Sequence, residues 1–133
     1  MPLPPQPHKR ILIVEDDVTS ARMLRDYLEA HGYHVTLAAN GVDGLERFGA
    51  EQPDLMIVDV ALPKKSGFEL CFDVKRTAHG RKMPLLLMSA VYRDADHAKA
   101  YATDQLRAQD YLAKPFDLAL LLARVLALLD PPG

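Results

Sequence analysis

A single α/β domain built on a parallel sheet is the fold class that the sequence predicts, and three observations predict it. Apolar runs recur at Ile11-Leu12-Ile13-Val14, Leu55-Met56-Ile57-Val58 and Leu85-Leu86-Leu87-Met88, each the right length for a strand buried on both faces. Segments with apolar residues at helical spacing separate them, so strands and helices alternate along the chain. At 133 residues the chain can bury one core without disulfides, and Cys71, the only cysteine, excludes an internal one.

Composition narrows the function classes. Sixteen Lys and Arg against 18 Asp and Glu leave a net charge of −2, which is neither the basic footprint of a nucleic-acid binder nor a polyanionic tail. Cys71 reads as a small apolar helix residue in a protein of a reducing compartment. The start, Met1-Pro2-Leu3-Pro4-Pro5-Gln6-Pro7, lacks the charged and apolar regions of a secretory signal and reads as a disordered, polyproline-prone tail. The longest strongly apolar segment, residues 118–129, is far short of the roughly 20 residues that a membrane span needs, and Arg124 interrupts it. The expectation is a cytoplasmic domain over residues 9–130, with tails at 1–8 and 131–133, the latter an end or a cut linker.

Taken in order, Ile11-Leu12-Ile13-Val14 is the first strand and ends abruptly in Glu15-Asp16-Asp17. Val18, Ala21, Leu24 and Leu28 then mark a helix stopped by Gly32. Residues 33–38 give a weaker second strand. Asn40-Gly41 turns into a short helix over 42–48, closed by Gly49. The third strand delivers Asp59 at its end, followed by a loop bounded by Pro63 and Gly67. Phe68, Leu70, Cys71 and Val74 define a third helix over residues 67–77. The fourth strand follows Pro84 and ends in Ser89-Ala90. Residues 93–105 read as a fourth helix with mostly small apolar positions. Asp110-Tyr111-Leu112-Ala113 is a short fifth strand leading to Lys114-Pro115-Phe116, and Asp117 can cap a last helix running to about Asp130, before Pro131-Pro132.

Right-handed crossovers leave few topologies for five such strands, and the order chosen is 2-1-3-4-5, a flavodoxin-like, doubly wound (βα)5 domain with helices on both faces. Winding then reverses between strands one and three, where such folds bind ligands beyond the carboxyl ends of the strands. Glu15, Asp16, Asp17 and Asp59 converge there. Alone, Asp59 could equally start a turn or cap a helix. Clustered carboxylates repel and raise one another's pKa, a conflict that a hard cation such as Mg²⁺ relieves through an all-oxygen site. The five histidines show no zinc spacing. Lys114, ending strand five, would supply a cation, and Ser89 a hydroxyl, to a phosphoryl group at the same sheet edge. Each also has a plain alternative, as a solvated lysine or a turn serine.

In these residues the chain resembles the receiver domains of two-component response regulators, including the stand-alone chemotaxis regulator. The resemblance spans residues 9–129 through the Ile11 to Asp17 motif, Asp59 with Pro63 and Gly67, Ser89-Ala90, and Tyr111 with Lys114-Pro115-Phe116. It implies that Asp59 accepts a phosphoryl group from a histidine kinase or phosphotransfer protein. It implies Mg²⁺ held by Asp16 and Asp59, by Glu15 through water, and by the Ala61 carbonyl. Lys114 and Ser89 would hold phosphoryl oxygens, the Lys114-Pro115 peptide would be cis, and Ser89 and Tyr111 would switch the surface of the fourth helix, fifth strand and fifth helix. Ala61 and Val91, both apolar, offer no side chain to orient an attacking water, so a long-lived acyl phosphate is expected. The family's usual glycine before the strand-five Tyr is replaced in Arg107-Ala108-Gln109-Asp110, which leaves the shape of the fourth helix open.

The last helix has more leucine than one stripe can bury, and Arg124 is its only charge between Asp117 and Asp130. Exposed contiguous apolar surface marks an interface, so a homodimer or an output partner is expected there, the alternative being a terminal helix unusually well buried by its own chain. No output segment for DNA binding or catalysis is expected within residues 1–133, whether the chain is a stand-alone receiver or one cut from a longer protein. The competing readings are a non-phosphorylated pseudo-receiver that only binds proteins, and an aspartate-nucleophile phosphatase, which Ala61 disfavours because such enzymes carry a second Asp at that position.

Overall fold

The computed structural model describes residues 9–90 and 108–130. The tails expected at 1–8 and 131–133, Val91 and the helix expected over 93–105 lie outside the described residues. Within them the order is β1 (Arg10–Val14), α1 (Val18–Ala30), β2 (His34–Ala38), α2 (Gly41–Glu51), β3 (Leu55–Asp59), α3 (Gly67–Lys75), α4 (Ala78–Lys82), β4 (Leu85–Ser89), β5 (Asp110–Ala113) and α5 (Leu118–Leu129).

All pairings are parallel and the sheet order is β2-β1-β3-β4-β5, as the apolar runs and crossover handedness predict. Because strand side chains alternate, each buried strand feeds two cores. Leu12, Val14, Met56, Val58, Leu85 and Leu87 pack with Phe48 of α2 and with Leu70, Cys71 and Val74 of α3. Ile11, Ile13, Leu55, Ile57, Leu86 and Met88 face the other way, onto Leu24 and Leu28 of α1 and Leu121 and Val125 of α5. Strands buried on both sides need no polar face, which is why they read as continuous apolar runs.

Three local expectations are corrected. Gly49 does not close α2: the helix runs on to Glu51 and ends where Gln52 turns left-handed at φ 47°, its N–H bonding Phe48 O. A Cβ at Gly49 would meet nothing within 4 Å, so this glycine is an ordinary helical residue. The third helix stops at Lys75, and a further short helix, α4, follows it. Thr77 makes the break, its hydroxyl donating to Val74 O at 2.7 Å and accepting the Gly80 N–H at 2.9 Å. Asp117 stands at the N-cap of α5 without a side-chain capping bond.

Candidate functional site

Three strand ends converge where winding reverses. Beyond β1, the Glu15 N–H still bonds Ala38 O at 3.0 Å, which keeps that residue at the sheet edge and buried. Asp59 is the last residue of β3 and is buried, directly below the start of α3. Gly67 permits that approach, because a Cβ there would lie 2.3 Å from the Asp59 carbonyl oxygen. The Lys114 N–H bonds Ser89 O at 2.9 Å, so the β5 end is pinned to the end of β4.

From these anchors the Lys114 ammonium reaches both carboxylates, donating to Asp59 Oδ2 at 2.5 Å and to Glu15 Oε2 at 3.0 Å. The other Asp59 oxygen accepts the Ala61 N–H at 2.8 Å. The turn alternative for Asp59 is therefore also real: one oxygen starts the turn while the other faces the lysine. Glu15 Oε1 takes the Asp17 N–H at 3.2 Å.

The charges do not balance. Burial, then the hydrogen bond with Asp59, pushes Glu15 up to about 7, against the opposing pull of Lys114. Burial alone would raise Asp59, but its hydrogen bonds with Glu15, Lys114 and Ala61 outweigh that and hold it below the usual carboxylate value. Burial likewise works to lower Lys114, yet its bonds to Asp59 and Glu15 prevail and raise it. One ammonium thus serves two buried carboxylates, and the remaining charge is managed by a proton near neutral pH. An all-oxygen set with surplus negative charge suits a hard cation that keeps several of its own waters. Among the described residues, no three His, Cys, Asp or Glu side chains converge into a ready cage.

Asp16 is exposed one residue beyond Glu15, and Ala61 is exposed in the loop after Asp59. Ser89 is fully buried at the end of β4. Tyr111 is buried in the core with Leu87, Met83 and Ala108. The Lys114-Pro115 peptide is cis. Beside Lys114 a cleft of about 230 Å³ opens between Met23 of α1 and Phe116.

Sequence reasoning missed two polar constructions. Buried Lys75 donates to Gly80 O at 2.8 Å, Met83 O at 2.5 Å and Gln109 Oε1 at 3.2 Å, and that same Gln109 oxygen accepts the Leu85 N–H at 2.7 Å. Arg124 of α5 holds both oxygens of Asp110 in β5, at 2.6 and 2.5 Å. The only signal available for the second was a lone arginine in an otherwise apolar helix.

The fold and site together are those of a doubly wound parallel α/β domain whose switch-point edge joins two carboxylates through a lysine. The chain belongs to the response regulator receiver domain family, whose model matches residues 11–126. It is 41% identical over 120 residues to response regulator MprA of Mycobacterium ulcerans, covering 90% of this chain and 50% of that protein. The chain thus spans about half the length of the curated relatives it matches. Among solved structures, one of a response regulator from Chloroflexus aurantiacus J-10-fl is 38% identical with a TM-score of 0.84, covering 92% of this chain and 98% of that one. The CheY-like receiver domain protein of Methanospirillum hungatei is 28% identical with a TM-score of 0.83, covering 93% and 95%. The chain is a receiver domain of a response regulator of two-component signalling.

Proposed function

We propose that Asp59 accepts a phosphoryl group from a phosphohistidine of a sensor kinase or phosphotransfer protein, in the cytoplasm and with Mg²⁺ present. The observation that carries this reading is Lys114, whose ammonium joins Asp59 and Glu15 at the switch-point edge. In the transfer, an Asp59 oxygen forms a bond to phosphorus as the phosphorus–nitrogen bond breaks, and the electron pair returns to the donor imidazole. That ring leaves neutral when its other nitrogen carries a proton. The Ala61 N–H and Lys114 hold the attacking carboxylate from both sides, so little orientation remains to be found during the reaction. Lys114 then turns to a phosphoryl oxygen, and the Ser89 hydroxyl donates to another.

Asp16, Asp59, the Ala61 carbonyl and, through water, Glu15 would hold the metal. When bound, Mg²⁺ supplies positive charge that offsets both the carboxylates and the incoming phosphoryl group. The Ser89 movement and the Tyr111 ring couple this charge to the surface carried by β5, α5 and the chain before them. Val91 and Ala61 lack groups to direct water, so the acyl phosphate persists; loss of the label within seconds in Mg²⁺ buffer would count against that. On α5, Leu120 and Leu126 are exposed and Arg124 is engaged by Asp110, leaving an uncharged outer face for a second copy or an output partner. Residues 9–130 are taken as the folding unit, with no direct nucleic-acid contact of its own.

The test is incubation with Mg²⁺ and acetyl phosphate, followed by intact mass. One added phosphoryl group is expected, absent in Asp59→Asn. The second reading, a constitutive protein-binding module, draws on the exposed Leu120 and Leu126 of α5. It gains if wild type takes up nothing at any Mg²⁺ concentration.

A further inference from the structure

Gly41 opens α2, yet its surroundings belong to the loop that follows Asp59. Its N–H points to Pro63 O at 3.4 Å, and the Lys65 N–H bonds that same carbonyl at 2.8 Å. Lys64 between them is left-handed, at φ 69°. A Cβ on Gly41 would lie 1.9 Å from the Lys65 carbonyl oxygen and 2.7 Å from its carbonyl carbon. Backbone cannot swing aside as a flexible side chain does, so any substituent there has to drive the loop away from α2. On its far side the loop is tied down by the ion pair between Lys65 and Asp73 of α3. The segment from Val60 to Ser66 is therefore gripped between two helices. Near its start, Ala61 supplies the backbone donor that holds one oxygen of the Asp59 carboxylate.

We propose that Gly41 is a positioning residue for phosphoryl transfer: by presenting no side chain, it lets α2 seat the Pro63 to Lys65 turn and so fixes the Ala61 N–H against Asp59. This rests on Asp59 being the phosphoacceptor. Other glycines of the helix have different surroundings. A Cβ on Gly49 would meet nothing within 4 Å, and one on Gly44 would lie 3.0 and 3.1 Å from the side chains of Val14 and Leu70, so a change there tests the core.

The experiment compares wild type, Gly41→Ala, Gly49→Ala and Lys65→Ala. Uptake from acetyl phosphate at saturating Mg²⁺ is followed by intact mass, folding by thermal melts, and the Ala61 amide by NMR in metal-free protein. Gly41→Ala is expected to slow uptake roughly ten- to a hundredfold, the scale of an ångström-sized misplacement, and to shift the Ala61 amide. Gly49→Ala should match wild type in both. Lys65→Ala, which releases the far side of the loop, should slow uptake several-fold and shift the same amide. A folded Gly41→Ala with wild-type uptake and an unmoved Ala61 amide overturns the proposal. Should Gly41→Ala fail to fold, Lys65→Ala decides, and wild-type behaviour in both readouts overturns it. If wild type itself takes up no phosphoryl group, the reading of Asp59 fails, while the Ala61 amide still reports whether Gly41 sets the loop.

Discussion

Glu15 bears the electrostatic conflict of the site, and its behaviour with pH follows from that. Its folded value, about 7, lies above the ordinary 4.5, so the folded chain binds this proton more tightly than the unfolded chain does. The stability it contributes is fully present below about pH 4.5 and is lost as pH rises through about 7. Glu15→Gln should therefore stabilise metal-free protein at pH 8 by about 1–3 kcal/mol. The gap should close toward pH 4.5, as read by urea unfolding at both pH values. Cys71 offers a second check: burial pushes its thiol up to about 11, so at pH 8 it is protonated as well as enclosed. Reaction with a disulfide reagent should then occur only at the rate of unfolding, and a fast stoichiometric reaction in native buffer would contradict the buried position. Both residues also mark how far sequence reading reaches. The cluster of acids was legible because strand ends share one edge. That Glu15 turns inward while Asp16 stays exposed was not, because adjacent residues past a strand end differ only in backbone direction.

Elements are joined here by polar contacts that no periodicity reveals. Lys75 ties the end of α3 to α4, to the approach to β4 and, through Gln109, to the approach to β5. Lys75→Met would leave two buried carbonyls without this donor, and a loss of about 1–3 kcal/mol in urea unfolding is expected. Arg124→Leu should cost a similar amount, since it strands the buried Asp110 carboxylate, and adding Asp110→Asn should restore part of it. An unchanged midpoint in the single variant would show that solvent serves Asp110 equally well. Helix boundaries were the least legible feature for the same reason. Gly49 reads as a stop by composition, but the helix ends where Gln52 meets its own Phe48 carbonyl. The short α4 exists because Thr77 bonds in both directions, and such a bifunctional hydroxyl looks like any loop threonine in the sequence.

At the scale of the whole molecule the sheet order was legible, because strands buried on both faces announce themselves as apolar runs and handedness restricts how they connect. The doubly wound layering then places α1 and α5 on one face and α2 and α3 on the other. Where the family usually has a glycine before the strand-five Tyr, this chain has a residue range that includes Gln109, which is the anchor reached by Lys75. Its identity there is structural in a way that composition alone did not suggest.

The ion pair that occupies Arg124 has a thermodynamic consequence for association. With Leu120 and Leu126 exposed and the helix's one cation already engaged, self-association through α5 would proceed almost entirely by release of water from apolar surface. Its temperature response should be that of a hydrophobic contact, strengthening from about 5 to 25 °C, with little dependence on sodium chloride between about 0.05 and 0.3 M. Sedimentation equilibrium across those conditions separates this from an electrostatic dimer, which salt would weaken. Leu126→Glu should abolish the association while leaving the melting temperature of the domain nearly unchanged.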